Sequence, residues 1–283
     1  MGMKESVAAA MGASVVSTRP LEGGCIGEVY HATLDDGQEV VVKWHAGPGG
    51  TLDTEGQMLR YLDEHAGLPV PVVFHTEPGL LIMSFEPGSS TFSTAAQQHA
   101  AVALAALHAV AAPKYGFKRA TLIGGLHQPN DWSKKWVPFF REQRLLYMAE
   151  EAAQAGRLPA STRARIDQLA EKLPDLIGEP DKPALLHGDV WTTNVLAQGG
   201  KVTAFLDPAI YYGHPEIELA FITLFNTFGD AFFTRYQEIR AIAPGFFEER
   251  RDLYNLYPLL VHVRLFGGGY VHSVEQTLSR FGC

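Results

Sequence analysis

A-L-L-H-G-D-V-W-T-T-N-V-L-A-Q-G-G-K-V-T-A-F-L-D-P, residues 184–208, is the stretch from which the fold is read. An apolar run from Ala184 to Leu186 leads into His187-Gly188-Asp189. Asn194 follows five residues after Asp189, and Asp207 ends a second apolar-rich run thirteen residues further on. Three polar side chains are thereby set at strand ends and in the loop between them. Asp189 is placed to accept a hydrogen bond from a hydroxyl group, while Asn194 and Asp207 offer oxygens to a hard cation such as Mg²⁺. H-G-D alone reads as a turn, with glycine supplying positive φ and aspartate capping an amide. The asparagine at the fifth position and the aspartate closing the hairpin are not needed by a turn.

Upstream, Glu22-Gly23-Gly24-Cys25-Ile26-Gly27-Glu28 lies between two extended segments. Asp35-Asp36-Gly37 is a hairpin signal, and Val40-Val41-Val42-Lys43-Trp44 is the returning strand. A glycine loop between strands, followed by a strand ending in lysine, is the phosphate-covering arrangement of protein kinases rather than a Walker loop. Its glycines, with Cys25 and Ile26 among them, bring backbone close to phosphates, and Lys43 supplies charge. Taken singly, these features also read as an ordinary hairpin and a solvated strand end. Glu55 lies twelve residues past Lys43, in a segment where Leu52, Leu59 and Leu62 recur at helical spacing. A helix there can carry Glu55 back across the sheet to pair with Lys43; its structural alternative is a first-turn carboxylate favoured by the helix dipole.

Val72 to Phe74 and Leu80 to Phe85 read as two more strands across Pro78-Gly79, and Glu86-Pro87-Gly88-Ser89-Ser90 has linker composition. This divides the chain into residues 1–86, a nucleotide-binding lobe, and 87–283, a catalytic and acceptor-binding lobe. Backbone groups at Met83, Ser84 and Phe85 are candidates for an adenine edge. Beyond the linker, helices are expected from Ala95 to Ala112 and from Ser161 to Leu173, with an ordered loop over residues 115–132. His108 reads as a core histidine. Trp136, clustered with Trp132, Phe139 and Phe140 at a helix start, reads as core or as a platform for a sugar. Pro215 suits a first helical position, and Glu216 and Glu218 suit a first turn. The fold class is α+β: a small antiparallel sheet lobe with one main helix, and a larger, mostly helical lobe, in the two-lobed manner of protein kinases.

The 283 residues are enough for one large domain or two smaller ones. With 46% hydrophobic and 19% charged residues, the chain reads as soluble and globular. Its net charge of −8 argues against nucleic acid or an anionic membrane as the main partner, and is neutral toward ATP. The two cysteines, Cys25 and Cys283, form no disulfide framework, which points to a reducing, cytoplasmic setting. Cys25 reads either as a small turn residue or as a thiol whose oxidation blocks ATP entry.

Together, Gly23-Gly24-Cys25-Ile26, Lys43, Glu55, H-G-D-V-W-T-T-N at 187–194 and L-D-P-A-I-Y-Y-G-H-P-E-I-E-L-A at 206–220 resemble the fructosamine/ketosamine kinase family. That family is similar in fold to aminoglycoside and choline kinases. The likeness runs from about Ser14 to the C-terminus; Trp191 and the D-P-A-x-Y-Y-G-H run single out this branch. The resemblance implies ATP- and Mg²⁺-dependent phosphorylation of the sugar 3-hydroxyl of a ketoamine, whose phosphorylated product decomposes and frees the amine. It implies Asp189 as catalytic base, Asn194 and Asp207 as metal ligands, Lys43 held by Glu55 on the phosphates, and Trp191 against the sugar. The sequence departs from the family at V-W-T-T-N, at Ser84 and at Val261, positions that bear on the acceptor rather than the reaction. A monomer or homodimer acting on free or protein-bound ketosamines is expected. The rival readings are an aminoglycoside- or choline-type hydroxyl kinase and a non-catalytic nucleotide-binding regulator.

Overall fold

A computed structural model describes residues 2–21 and 27–283. β-Branched, alternating segments form β1 (Val15–Pro20), β2 (Glu28–Leu34), β3 (Glu39–Trp44), β4 (Val73–Glu77) and β5 (Leu80–Ser84), flanked by helices α1 (Met3–Met11) and α2 (Leu52–Ala66). The strands make one antiparallel sheet in the order β1-β2-β3-β5-β4. Side chains alternate between the two faces, so the register decides what each meets. Val40, Val42 and Ile82 pack with Val7 of α1 on one face. Leu81 and Met83 pack with Leu52 and Leu59 of α2 on the other. Lys43, opposite Leu81 in the β3–β5 register, shares the α2 face. The helix lies close to the sheet because residue 56 is glycine: a Cβ there would come within 2.4 Å of Thr76 Oγ1.

After β5 the chain crosses as a strap held to the other half of the molecule. Ser89 exchanges backbone hydrogen bonds with Ala197, and Ser90 Oγ donates to the Val195 carbonyl at 3.1 Å. The remainder is mainly helical: α3 (Thr94–Leu107), a short hairpin β6 (Thr121–Ile123) and β7 (Leu126–Gln128), α4 (Trp136–Phe140), α5 (Tyr147–Gln154) and α6 (Ala160–Leu176). The central segment supplies β8 (Ala184–Leu186), β9 (Val195–Gln198), β10 (Lys201–Phe205) and β11 (Tyr211–Gly213). Helices α7 (Pro215–Leu224), α8 (Asp230–Ile239), α9 (Arg251–Phe266) and α10 (Gly269–Arg280) close the fold. One large core runs through these elements and reaches Met58 and Leu62 of α2, so α2 bridges the sheet and the helical part.

Several expectations are adjusted. Helix α3 stops at Leu107, not at Ala112, because the chain leaves it to meet β8: Leu185 donates to the Val110 carbonyl and Ala112 to that of Pro183. The stretch 115–132 contains the β6–β7 hairpin, turning at Gly124-Gly125. Trp136 is fully enclosed among Phe139, Phe140 and Tyr254, and its Nε1 donates to the Tyr254 hydroxyl at 3.0 Å. A ring with both faces covered offers no sugar platform, which corrects that reading in favour of the core. No helix among the described residues is long and apolar enough to cross a membrane.

Candidate active site

The two strand pairs of the central segment bring its loops side by side. Leu186 of β8 lies opposite Tyr211 of β11, and Val195 of β9 opposite Phe205 of β10. Ala209 then donates to the His187 carbonyl at 2.7 Å and Leu206 to that of Asn194 at 2.8 Å. Loop 187–194 therefore lies against residues 206–209. Gly188, at φ 86, is required at this contact, since a Cβ would sit 2.2 Å from the Ala209 carbonyl oxygen. Asp207 holds the left-handed conformation at φ 50, uncommon for a non-glycine residue and characteristic of functional loops.

Lys43 reaches this loop pair from the sheet. Its Nζ donates to Glu55 Oε1 at 2.7 Å and also to Asp207, and Lys43 and Glu55 are both buried. Burial works against the lysine's charge, but Asp207 and Glu55 together hold its pKa above the ordinary lysine value. Burial pushes the Glu55 carboxyl up to about 7 despite the pull of Lys43, with Asp207 adding to the rise. Asp207 moves the other way: burial opposes its charge, and Lys43 more than compensates. Two carboxylates thus share one ammonium, and Asp207 is the firmly anionic one.

Asp189 sits across the same space. Asn194 Nδ2 donates to Asp189 Oδ2 at 2.9 Å and to the Asp189 carbonyl at 3.1 Å. One side-chain amide fixes both the carboxylate and its backbone, and Asn194 Oδ1 accepts from the Thr193 hydroxyl at 3.4 Å. Burial and the nearby Asp207 charge raise the Asp189 pKa well above the aspartate range, against the Asn194 hydrogen bond. A carboxylate with a raised pKa is a better proton acceptor at neutral pH.

Behind the loop, Glu218 of α7 accepts the Gly188 amide at 2.5 Å and the His187 amide at 3.4 Å. The same carboxylate meets His108 Nε2 at 2.8 Å, and His108 Nδ1 meets the Tyr236 hydroxyl at 2.7 Å. Burial opposes the charge of Glu218, but His108, His187 and the Gly188 amide keep its pKa low. His108 is a core histidine, as read from sequence, and also the support of the loop that carries Asp189. Glu218 reads in sequence only as a first-turn carboxylate; the missing signal is the loop opposite, which only the fold supplies.

Three cavities meet here. The largest, about 540 Å³, lies under the sheet and is lined by Val29, Val41, Lys43, Met83, Phe85 and Leu196, with Ser84 also on its wall. Past the end of β5, the backbone groups of Phe85 and Glu86 have no backbone partner among the described residues. A second cavity, about 80 Å³, joins Lys43, Glu55, Asp189, Trp191, Asn194 and Asp207. A third, about 90 Å³, continues past Asp189 between Trp191, Tyr257, His262 and Phe266. Lys43, Glu55, Asp189, Trp191, Asn194 and Asp207 are thus brought together, with Met83, Ser84 and Phe85 adjoining. Gly23, Gly24, Cys25 and Ile26, including the thiol read as an oxidation-sensitive group, lie outside the described residues.

The family model for fructosamine kinase matches residues 3–281. The chain belongs to the fructosamine kinase family. A probable ketoamine kinase from Synechocystis is 33% identical over 276 residues, spanning 93% of this chain and 89% of its own. A chloroplastic protein-ribulosamine 3-kinase from Oryza sativa subsp. indica is 32% identical, spanning 94% and 79%. A crystallised protein from Thermobifida fusca, assigned as a fructosamine-3-kinase, superposes with a TM-score of 0.88 at 30% identity, covering 98% of this chain and 97% of the other. An aminoglycoside phosphotransferase crystallised with ADP and hygromycin B shares the fold, at a TM-score of 0.69 and 18% identity over 99% and 96% of the two chains. This member of the fructosamine kinase family is therefore a phosphotransferase, and its phosphoryl donor is ATP.

A divalent cation fits the donors present. Asn194 Oδ1 and the Asp207 carboxylate are hard oxygen ligands, and one or two protein oxygens completed by phosphate and water are what Mg²⁺ requires. Among the described residues, no group of three or more His, Cys, Asp or Glu side chains is arranged to enclose a metal.

Proposed function

We propose that this chain transfers the γ-phosphoryl group of ATP to the sugar 3-hydroxyl of a ketosamine, the first step in releasing the amine from its sugar adduct. One observation carries the reading. Lys43, from the sheet, bonds to Asp207, from the central segment, in a cavity that Asp189 and Asn194 also line. Residues 1–86 form the nucleotide-binding lobe and 87–283 the catalytic and acceptor-binding lobe. Met83 and Ser84 are paired within the sheet, the Ser84 amide donating to the Val72 carbonyl at 2.9 Å. Of the residues expected at the adenine edge it is therefore the Phe85 backbone, continued by Glu86, that holds it, and Lys43, oriented by Glu55, holds phosphate oxygens.

Asp189 orients the 3-hydroxyl and takes its proton as the oxygen bonds to phosphorus; the bond from phosphorus to the bridging oxygen breaks and ADP leaves. Trp191 packs on sugar C–H groups beside Asp189. When bound, a Mg²⁺ ion held by Asn194 and Asp207 supplies positive charge to the phosphate oxygens. The chain's own contribution is alignment: Asn194 fixes Asp189, Glu218 fixes the loop beneath it, and Lys43 neutralises charge from the opposite side. The low cysteine content supports a cytoplasmic setting.

An acceptor panel tests the proposal: ADP release is measured with ribulosamine, fructosamine, an aminoglycoside and choline, and the phosphorylated carbon is located by NMR. We expect turnover with the ketosamines and phosphate on C3. Turnover only with the aminoglycoside or choline would overturn the assignment.

A further inference from the structure

The cavity beyond Asp189 has a wall chemistry unlike that of a sugar site. Its surface is overwhelmingly apolar, with Phe221, Val261, Leu265 and Phe266 among the residues that line it. The Tyr257 hydroxyl, on the same wall, is already committed to Gln128 Oε1 at 2.6 Å. His262 is buried, with one ring nitrogen used: Nδ1 donates to the Pro258 carbonyl of its own helix at 2.8 Å. That bond fixes the tautomer, so Nε2 carries a lone pair. Nε2 has no protein partner among the described residues. Burial lowers the ring's pKa, which keeps it neutral and able to accept.

Aromatic rings surround this nitrogen. The His262 ring centre lies 4.9 Å from those of Phe225 and Tyr270, 5.7 Å from Phe266 and 6.2 Å from Trp191, the last with its plane nearly perpendicular. Phe266, the last residue of α9, stands at the rim with 60% of its surface exposed. The charge of the wall is one-sided. Asp189 and Glu218 both line the cavity, and among the described residues no lysine or arginine does.

A ketosamine has two arms on either side of its reacting C3. The sugar arm carries a hydroxyl on every carbon, each needing a partner. The amine arm carries one secondary ammonium and then whatever the amine brought. A cavity with aromatic faces, one lone pair and two nearby carboxylates matches the second pattern. We propose that His262, Phe266 and Tyr270 form the amine-side subsite, with His262 Nε2 accepting a hydrogen bond from the substrate's ammonium and Phe266 covering an alkyl stem as it leaves. The sugar arm then runs toward the other cavity lined by Trp191, past the Gly124-Gly125 backbone and Thr193.

The consequence is a substrate class. An adduct on a lysine ε-amine places four methylenes against Phe266 and no charge near the nitrogen. An adduct on an α-amino acid places a carboxylate two bonds from the nitrogen, beside Asp189 and Glu218, with no cation to pair it. Ketosamines of alkyl amines are therefore the substrates, and those of α-amines are rejected.

This inference rests on the ketosamine kinase reading, and the experiment separates the two. Initial rates are measured with ribulosyl adducts of butylamine, of the ε-amine of Nα-acetyl-lysine amide, and of glycine. We expect kcat/KM for both alkyl adducts to exceed that for the glycine adduct by at least ~30-fold, given the cost of an unpaired buried charge. Phe266→Ala, at an exposed position, narrows the ratio by ~5-fold or more, mainly through KM for the alkyl adducts. Val261→Arg, which adds a cation to the wall, raises kcat/KM for the glycine adduct relative to the butylamine adduct. Equal kcat/KM for the three adducts in wild type, or an unchanged ratio in both variants, overturns the subsite and leaves the kinase reading standing. No phosphorylation of any adduct overturns both.

Discussion

Glu218 Oε1 accepts the amide of Gly188 at 2.5 Å, the residue immediately before Asp189. A carboxylate on α7 thus holds the backbone of the loop on which the proposed base is carried, and His108 holds the carboxylate in turn. Glu218→Gln keeps the shape but turns an acceptor of several donors into an amide with only one oxygen to offer. We expect a loss of ~2 kcal/mol in stability, the usual cost of disturbing a buried charged hydrogen-bond network. We also expect kcat to fall by ~10-fold or more while KM for ATP changes little, because misplacement affects the reacting hydroxyl first. Denaturant unfolding and steady-state kinetics read the two effects separately.

The Lys43 ammonium is divided between Glu55 and Asp207, so Glu55 decides how firmly lysine closes on the proposed metal ligand. Glu55→Gln removes the competing charge and leaves Lys43 on Asp207. We expect KM for ATP to rise by about tenfold, in line with the loss of a buried charge-assisted bond. An unchanged KM would detach this pair from nucleotide binding.

The pH dependence of kcat/KM follows from Asp189. Its pKa is raised by burial and by Asp207, and activity requires the carboxylate form. Activity is therefore present above the raised pKa and lost as pH falls through it, with an acid limb above the ordinary aspartate range. Asn194 donates to the ionised form, so Asn194→Ala moves that limb to still higher pH, besides lowering the rate. A limb at the ordinary aspartate pKa would show that another group controls it.

Stability has its own acid limb. His214 caps α7 by accepting the Glu216 amide at its Nδ1, and burial together with Arg250 and Arg240 depresses its pKa to about 3. The unfolded chain binds a proton near pH 6.5 that the folded chain refuses, so stability present above that pH is lost as pH falls from there toward 3. The slope from one such group approaches ~1.4 kcal/mol per pH unit. His214→Asn retains a capping oxygen and removes the titration. We expect the variant to lose less stability than wild type between neutral and mildly acidic pH, as read by urea midpoints.

The sheet, the hairpin turn at Asp35-Asp36-Gly37 and the pairing of Lys43 with Glu55 were legible because strand alternation and helix periodicity act over short spans. The convergence of Asp189, Asn194 and Asp207 was legible for a similar reason: one strand-loop-hairpin unit carries all three. What was not legible depends on distant partners. Nothing near Trp136 in sequence announces Tyr254, whose hydroxyl takes its indole N–H and seals it in the core. Glu218 and His262 look like ordinary helix residues until the fold sets one beneath Gly188 and the other beside Trp191.

The most direct test of the central claim pairs wild type with Asp189→Ala, measuring ADP formation with a ribulosamine acceptor alongside ATP binding by calorimetry. The geometry calls for ATP binding in both proteins and turnover lower by at least ~10² in the variant, the scale of a lost proton acceptor. Near-normal turnover in Asp189→Ala would contradict the account.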